Sequence, residues 1–407
     1  MPVTFEKQRL ANGLTVIAEI DPSAHSAACG FFVKTGARDE ATRVMGVSHF
    51  LEHMMFKGTD DISAEELNRR FDAMGARNNA FTSTEMTCFY ATTLPERLGD
   101  AVDLLGRMMR PALREGDFET EKGVILEEIA MYRDNPFSVL YDACVERHFE
   151  GHPLAHRILG TPESIKALTA AQMREYFDRR YSSDNTTVAL SGRVDFDRAV
   201  REVERVCGAW RPTGAGRDAK RPAPRGGRVT LTDEKVNRGY LLALCDAPSL
   251  EDDRRYAASL LAQVLGAPDN SRLHWSLIET GIAEDAQSAF DAHDGVGQYY
   301  VFASGDPERL GEIESVISRE LESLVASVTD DDLVRLRNKS ATAATLGGER
   351  PTDRMHRLGR LWTCLGLYRP LEDELERICA VTISDLADVA RAYPLRPQTL
   401  GTLVKTT

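Results

Sequence analysis

At 407 residues, with 42% hydrophobic and 28% charged residues, the chain has ordinary globular composition but too much length for one core, so two or three domains are expected. A formal net charge of −13, with no clustered cationic face, argues against a nucleic-acid partner. The seven cysteines (Cys29, Cys88, Cys144, Cys207, Cys245, Cys364, Cys379) are dispersed without a Cys-x-x-Cys pair and read as reduced, buried thiols. No leader with a basic then apolar pattern opens the chain, and no apolar run of about 18 residues occurs, so no membrane segment is expected and the cytoplasm is the expected compartment.

In chain order, Gly13–Glu19 and Ala27–Lys34 alternate as strands around the turn residues Asp21-Pro22-Ser23. Helical periodicity covers Val47–Phe56, Ala64–Met74, Leu98–Met109 and Phe118–Arg133, with a strand at Met86–Thr93. The stretch 211–228, rich in proline, glycine and basic residues, reads as an exposed linker. It divides the chain into a first domain at 1–210 and a second at 229–407. Pro95-Glu96-Arg97-Leu98-Gly99 recurs as Pro307 to Gly311, each time after a strand (the second at Gln298–Ala303) and before an amphipathic helix. The expected fold is therefore α+β: two duplicated domains, each with helices packed on one face of a mainly antiparallel sheet.

Ser48-His49-Phe50-Leu51-Glu52-His53-Met54-Met55-Phe56 is the string that carries chemistry. Residues four apart share a helix face, so His49 and His53 can aim two imidazoles at one point, with Glu52 beside it. Catalytic zinc takes neutral imidazole nitrogen readily and commonly three protein ligands. The third ligand should be an acid on another helix, and Glu121-Lys122-Gly123-Val124-Ile125-Leu126-Glu127-Glu128 offers candidates. Glu121 and Glu128 lie seven apart and share a face, but periodicity alone does not decide between Glu127 and Glu128.

HFLEHMMFKGT followed by EKGVILEEIAMYRDNP resembles the M16 metallopeptidases, the inverzincins, and among them the short processing-peptidase-like branch. HPLAHRILGTPESI at His152–Ile165 and Ser271-Arg272-Leu273 extend the similarity into both halves. The resemblance implies zinc ligands at His49, His53 and Glu128, a general base at Glu52 and a supporting acid at Glu121. It further implies a zinc-dependent endopeptidase that hydrolyses extended peptides with a zinc-activated water. Asn79-Ala80-Phe81-Thr82 matches the family's Asn-Ala-x-Thr edge strand, which takes substrate backbone as an added strand.

No second His-x-x-Glu-His occurs, and the offset between the two Pro-Glu-Arg-Leu-Gly strings carries His49 to Leu261 and His53 to Leu265. One zinc site is therefore expected. Active single-chain members carry an Arg-x6-Tyr pair in the second half. Here Leu277 or Ile278 stands at the arginine position and Glu284 at the tyrosine position. A dimer is expected, with a paralogous partner chain supplying the Arg/Tyr contacts as one form of it. The alternative is a non-catalytic structural or peptide-binding subunit of an M16-type complex.

Overall fold

The computed structural model describes residues 3–217, 221–222 and 225–406. In chain order the first half contains β1 (Thr4–Arg9), β2 (Thr15–Ile20), β3 (Ala27–Val33), α1 (Val47–Met55), α2 (Ala64–Ala73), β4 (Arg77–Thr82), β5 (Thr87–Thr93), α3 (Leu98–Met108), α4 (Glu115–Arg133), α5 (Pro136–His148), α6 (Pro162–Ala167), α7 (Ala170–Arg180), β6 (Thr186–Gly192) and α8 (Phe196–Cys207). The second half continues with β7 (Gly227–Asp233), β8 (Gly239–Ala247), α9 (Arg255–Gly266), β9 (Asp285–His293), β10 (Val296–Gly305), α10 (Leu310–Ser327), α11 (Asp330–Glu349), α12 (Pro351–Leu365), α13 (Leu371–Ala380), α14 (Ile383–Ala392) and β11 (Thr399–Lys405). None of the described helices is long and apolar enough to cross a membrane.

Two sheets form, in the orders β1-β2-β6-β3-β5-β4 and β7-β11-β8-β10-β9. Each contains one parallel pair, β2 with β6 and β7 with β11, and is otherwise antiparallel. The α+β class and the duplication both follow from this shared order. The repeated Pro-Glu-Arg strings occupy equivalent places, Pro95–Arg97 before α3 and Pro307–Arg309 before α10.

The chain forms two compact units, but not by a contiguous cut at 211–228. The first unit is Met1–Ile129, His156–Asp218 and Thr345–Pro370; the second is Ala130–Ala155, Ala219–Ala344 and Leu371–Thr407. The first half thus gives α5 to the second unit, and the second half gives α12 to the first. The reason is packing on the sheet faces. Alternation on β3 turns Phe31 and Val33 toward the main core, which includes Met54, Leu105 and Phe118. Gly30 and Phe32 point the other way, against Met355 and Gly359 of α12. A Cβ on Gly359 would lie 2.2 Å from the Phe32 ring, so only glycine lets the helix sit this close. Both faces of the first sheet are therefore covered, which corrects the one-face expectation.

α12 also neutralises a buried charge. Glu19 on β2 is almost fully buried and accepts from Arg357 Nη2 at 2.9 and 2.8 Å.

The start of the expected linker is not a free tether. Thr213 and Gly214 donate their amides to the Asp184 carboxylate (3.1 and 2.8 Å). Arg217, with a side chain 4% exposed, grips Asp39 through Nε and Nη2 at 3.0 and 2.8 Å. A buried arginine needs such a partner, and Asp39 supplies it. Residues 218–220 and 223–224 of the expected linker lie outside the described residues.

Candidate metal centre

α1 begins at Gly46, whose φ of +91° admits glycine without strain. The first-turn amides are satisfied by a side chain from upstream: Glu40 accepts from Gly46 N–H (2.6 Å) and Ser48 N–H (2.8 Å). Burial pushes the Glu40 carboxyl up to about 8, against the downward pull of those two donors. Ser48 Oγ and Thr35 Oγ1 both meet the Tyr176 hydroxyl at 2.7 Å, which ties α1 to α7. Val47, Phe50, Leu51, Met54 and Met55 anchor α1 in the core. That burial leaves His49, Glu52 and His53 toward one rim, with the two imidazole centroids 4.8 Å apart.

α4 brings the acids. It is anchored by Phe118, Ile125 and Ile129, and Phe50 stacks on Phe118 at 4.7 Å, which joins the two helices directly. Glu128 Oε2 stands 3.7 Å from His49 Nε2 and 3.6 Å from His53 Nε2. Both separations are too long for hydrogen bonds. Ligand atoms of His49, His53 and Glu128 all lie within 4.8 Å of one another. For zinc at roughly 2.0–2.1 Å from each ligand, tetrahedral neighbours stand about 3.4 Å apart, close to the two imidazole–carboxylate separations. Burial, and secondarily the neighbouring His53, push His49 down to about 4, so its imidazole is neutral at neutral pH and keeps its electron pair. Two imidazoles and a carboxylate form a donor set that fits zinc.

Glu121, one face-repeat before Glu128, supports this set from behind. Its Oε1 meets His53 Nδ1 at 2.8 Å, and its Oε2 contacts the Lys57 ammonium. Burial raises the Glu121 carboxyl, but the bonds from Lys57 and His53 outweigh it and hold it below its ordinary value. Glu52 is the third acid of the rim. Burial raises its carboxyl, opposed by the Thr82 hydroxyl, which donates to Glu52 Oε2 at 2.6 Å.

Asn79, Ala80, Phe81 and Thr82 lie on β4, the outermost strand of the first sheet. Ser83 N–H donates to Met86 O across the hairpin (2.8 Å), so alternation turns the amides of Arg77, Asn79 and Phe81 to β5 and those of Asn78, Ala80 and Thr82 to the open side. In agreement, Ala80 N–H is taken by Asn79 Oδ1 at 2.9 Å. Phe81 faces α12, with its ring 5.7 Å from His356, whereas Thr82 turns toward Glu52.

In the second unit Leu277 is fully buried in the core and Glu284 pairs with Arg238 at 2.8 Å, so neither position offers a donor. Sequence reading missed Glu40 and Lys57. Lys57 carried a signal, since it follows directly on the histidine motif in Lys-Gly-Thr. Glu40 carried none beyond an acid shortly before a glycine.

Residues 15–162 match the family model described as Insulinase (Peptidase family M16), and 167–340 match the Peptidase M16 inactive domain. A Streptomyces coelicolor protein named as an uncharacterized zinc protease is 33% identical over 401 residues, 95% of this chain and 87% of the relative. The fold is similar to that of a Helicobacter pylori protease, with a TM-score of 0.92 at 21% identity and full coverage of both chains. It is also similar to a chain of complex III2 from Candida albicans, with a TM-score of 0.86 at 18% identity over 98% of this chain and 95% of that one. At such identities the two structures speak to fold alone. The sequence match over nearly the whole chain goes further: this protein belongs to peptidase family M16, the insulinase family.

Proposed function

We propose that the chain is a zinc-dependent endopeptidase acting on peptide segments held extended along β4. The observation that carries this reading is the convergence of His49, His53 and Glu128, with Glu52 beside them and bonded to Thr82 of the edge strand. Zinc held by those three residues supplies Lewis acidity toward water and the scissile carbonyl. Glu52, held ionised by the Thr82 hydroxyl and made more basic by burial, accepts the proton of the attacking water and delivers it to the leaving amine. Glu121 holds His53 in one tautomer through Nδ1. The open amides of β4 bind substrate backbone, so selection falls on extended conformation before side chains. The cysteines, all free and six of them buried, fit a reducing compartment, and we place the protein in the cytoplasm. The test is cleavage of an unstructured peptide with and without a zinc chelator. Chelator-insensitive cleavage, or none after zinc is restored, sinks the assignment.

A second reading is favoured by the buried Leu277 and the paired Glu284. On it the chain works as one subunit of a dimer, with a paralogue that carries Arg-x6-Tyr supplying the donors for the oxyanion. Assaying the chain alone, then with such a paralogue, separates the two. Efficient cleavage alone, unchanged on mixing, refutes the shared site. Peptide binding with no cleavage in either assay assigns a capture or assembly subunit instead.

A further inference from the structure

We infer that Lys57 is a positioning residue for the metal centre: its ammonium pins Glu121, and Glu121 in turn orients His53. The inference rests on the zinc reading above and adds a residue to it.

Lys57 stands just past the end of α1, where its N–H still donates to Met54 O at 3.1 Å. The chain then turns through Gly58, at φ +90°, where a Cβ would lie 2.3 Å from Ile62 O. That turn delivers three consecutive carbonyls to the approach of α4. Lys57 O accepts from Arg114 Nη1 (3.3 Å), Gly58 O from Ala112 N–H (3.1 Å), and Thr59 O from Arg114 Nη2. Arg114 is itself paired with Asp117 of α4 at 3.5 Å. The lysine backbone is thus fixed to the helix that carries both acids. Its ammonium then meets Glu121 Oε2, a second point on the same helix.

An exposed lysine pairing with an exposed acid gains little, because solvent and side-chain entropy offset the attraction. This pair differs. The Glu121 side chain is 6% exposed, and its other oxygen is committed to His53 Nδ1 at 2.8 Å. With Lys57 in place both carboxylate oxygens are held and the group cannot rotate. Without Lys57 one oxygen is released, and the carboxylate plane that sets the His53 ring is free to turn. Among the described residues none gives His49 comparable support, and none hydrogen-bonds its buried Nδ1. The orientation of the imidazole pair therefore depends on the His53 side, which runs through Lys57.

The experiment measures zinc affinity by chelator competition for wild type, Lys57→Met, Lys57→Arg, Glu121→Gln and the Lys57→Met/Glu121→Gln double variant. Absorption spectra of the cobalt-substituted proteins report ligand geometry independently of activity. Loss of an outer support typically costs roughly 10–100-fold in metal affinity, so Lys57→Met should fall in that range with an altered cobalt spectrum. Lys57→Arg should recover most of it. Because the lysine acts through Glu121, the double variant should bind no worse than Glu121→Gln alone. Should Lys57→Met misfold, Lys57→Gln, which keeps the stem without the charge, takes its place. Wild-type affinity in the lysine variants, or losses that multiply in the double variant, overturns the relay while leaving the metal site standing. Failure of wild type to bind zinc overturns both.

Discussion

Apart from the extra edge strand β1, the two units share one strand order, yet the same junction between helices is closed in one and open in the other. In the second unit the α9 positions equivalent to the two histidines are Leu261 and Leu265, both in the core. Gln263 of α9 hydrogen-bonds Ser340 of α11 at 3.2 Å, so that pair of helices satisfies itself. In the first unit α1 and α4 instead present unshared electron pairs, with imidazole–carboxylate distances of 3.6 and 3.7 Å that no hydrogen bond closes. The edges differ too. β4 leaves Arg77, Asn79 and Phe81 exposed, whereas β9 exposes only Asp285. α9 packs so tightly along β9 that a Cβ on Gly266 would lie 2.3 Å from Ser288 N. One copy of the duplicated frame closes its helix pair by packing, and the other gathers two imidazoles and a carboxylate there.

The comparison breaks most visibly at the metal. His49→Ala, His53→Ala and Glu128→Ala should each drop bound zinc far below one per chain, measured by elemental analysis, while Glu127→Ala keeps it. Leu265→Ala in the second unit should leave zinc unchanged but cost about 2–5 kcal/mol in denaturant unfolding through the cavity it creates. Full zinc in Glu128→Ala would show that the third ligand is another group. Next in size, Glu52→Gln should keep zinc and lose roughly 10²–10⁴-fold in peptide hydrolysis. Wild-type turnover in a protease-free preparation of that variant removes Glu52 from the mechanism.

The helix starts give a third contrast. α9 is preceded by the exposed pair Asp252–Arg254, while α1 is capped by buried Glu40. The Glu40 carboxyl is raised from 4.5 to about 8, so the native state keeps its proton longer than the unfolded chain does. Its contribution is fully present below about pH 4.5 and is lost as pH rises through about 8. The unfolding free energy of wild type minus that of Glu40→Gln should therefore fall across this window, by on the order of a few kcal/mol. A difference that stays flat over it would refute the assignment. The smallest effect concerns the edges. Ala80→Pro removes an amide from the open side of β4 and should weaken peptide binding by about 1 kcal/mol, roughly fivefold, with zinc retained. Asp285→Ala on β9 should change nothing. Equal losses from both variants would mean that the peptide docks elsewhere.

Much of this was legible in the amino-acid string. The helix Val47–Met55 and the strands Thr15–Ile20, Ala27–Val33 and Thr87–Thr93 fall within a few residues of where periodicity put them. The pairing of His49 with His53 was legible through local spacing on α1, but whether Glu127 or Glu128 lies beside them was not. Deciding between them requires the roll of α4 about Phe118 and Ile125, which is a tertiary fact. What stayed hidden had partners that no regular spacing connects. Glu40 reaches amides across a loop, Arg217 finds Asp39, and α12 crosses back to cover Phe32 and Glu19. No window of neighbouring residues contains the last two pairings, and Glu40, six and eight residues before its amides, follows no helical or strand period.

The return of α12 sets an order of events during synthesis. At translation speeds of about 5–20 residues per second, the sheet of the first unit emerges many seconds before residue 351. Through that interval Phe32 has no helix against it, and Glu19 lacks the arginine that neutralises it. The half that carries His49, His53 and Glu128 cannot reach its native burial as a nascent fragment, and a ribosome stalled near residue 217 should hold a protease-sensitive chain. Completion of this half is thereby deferred until α12 has been made.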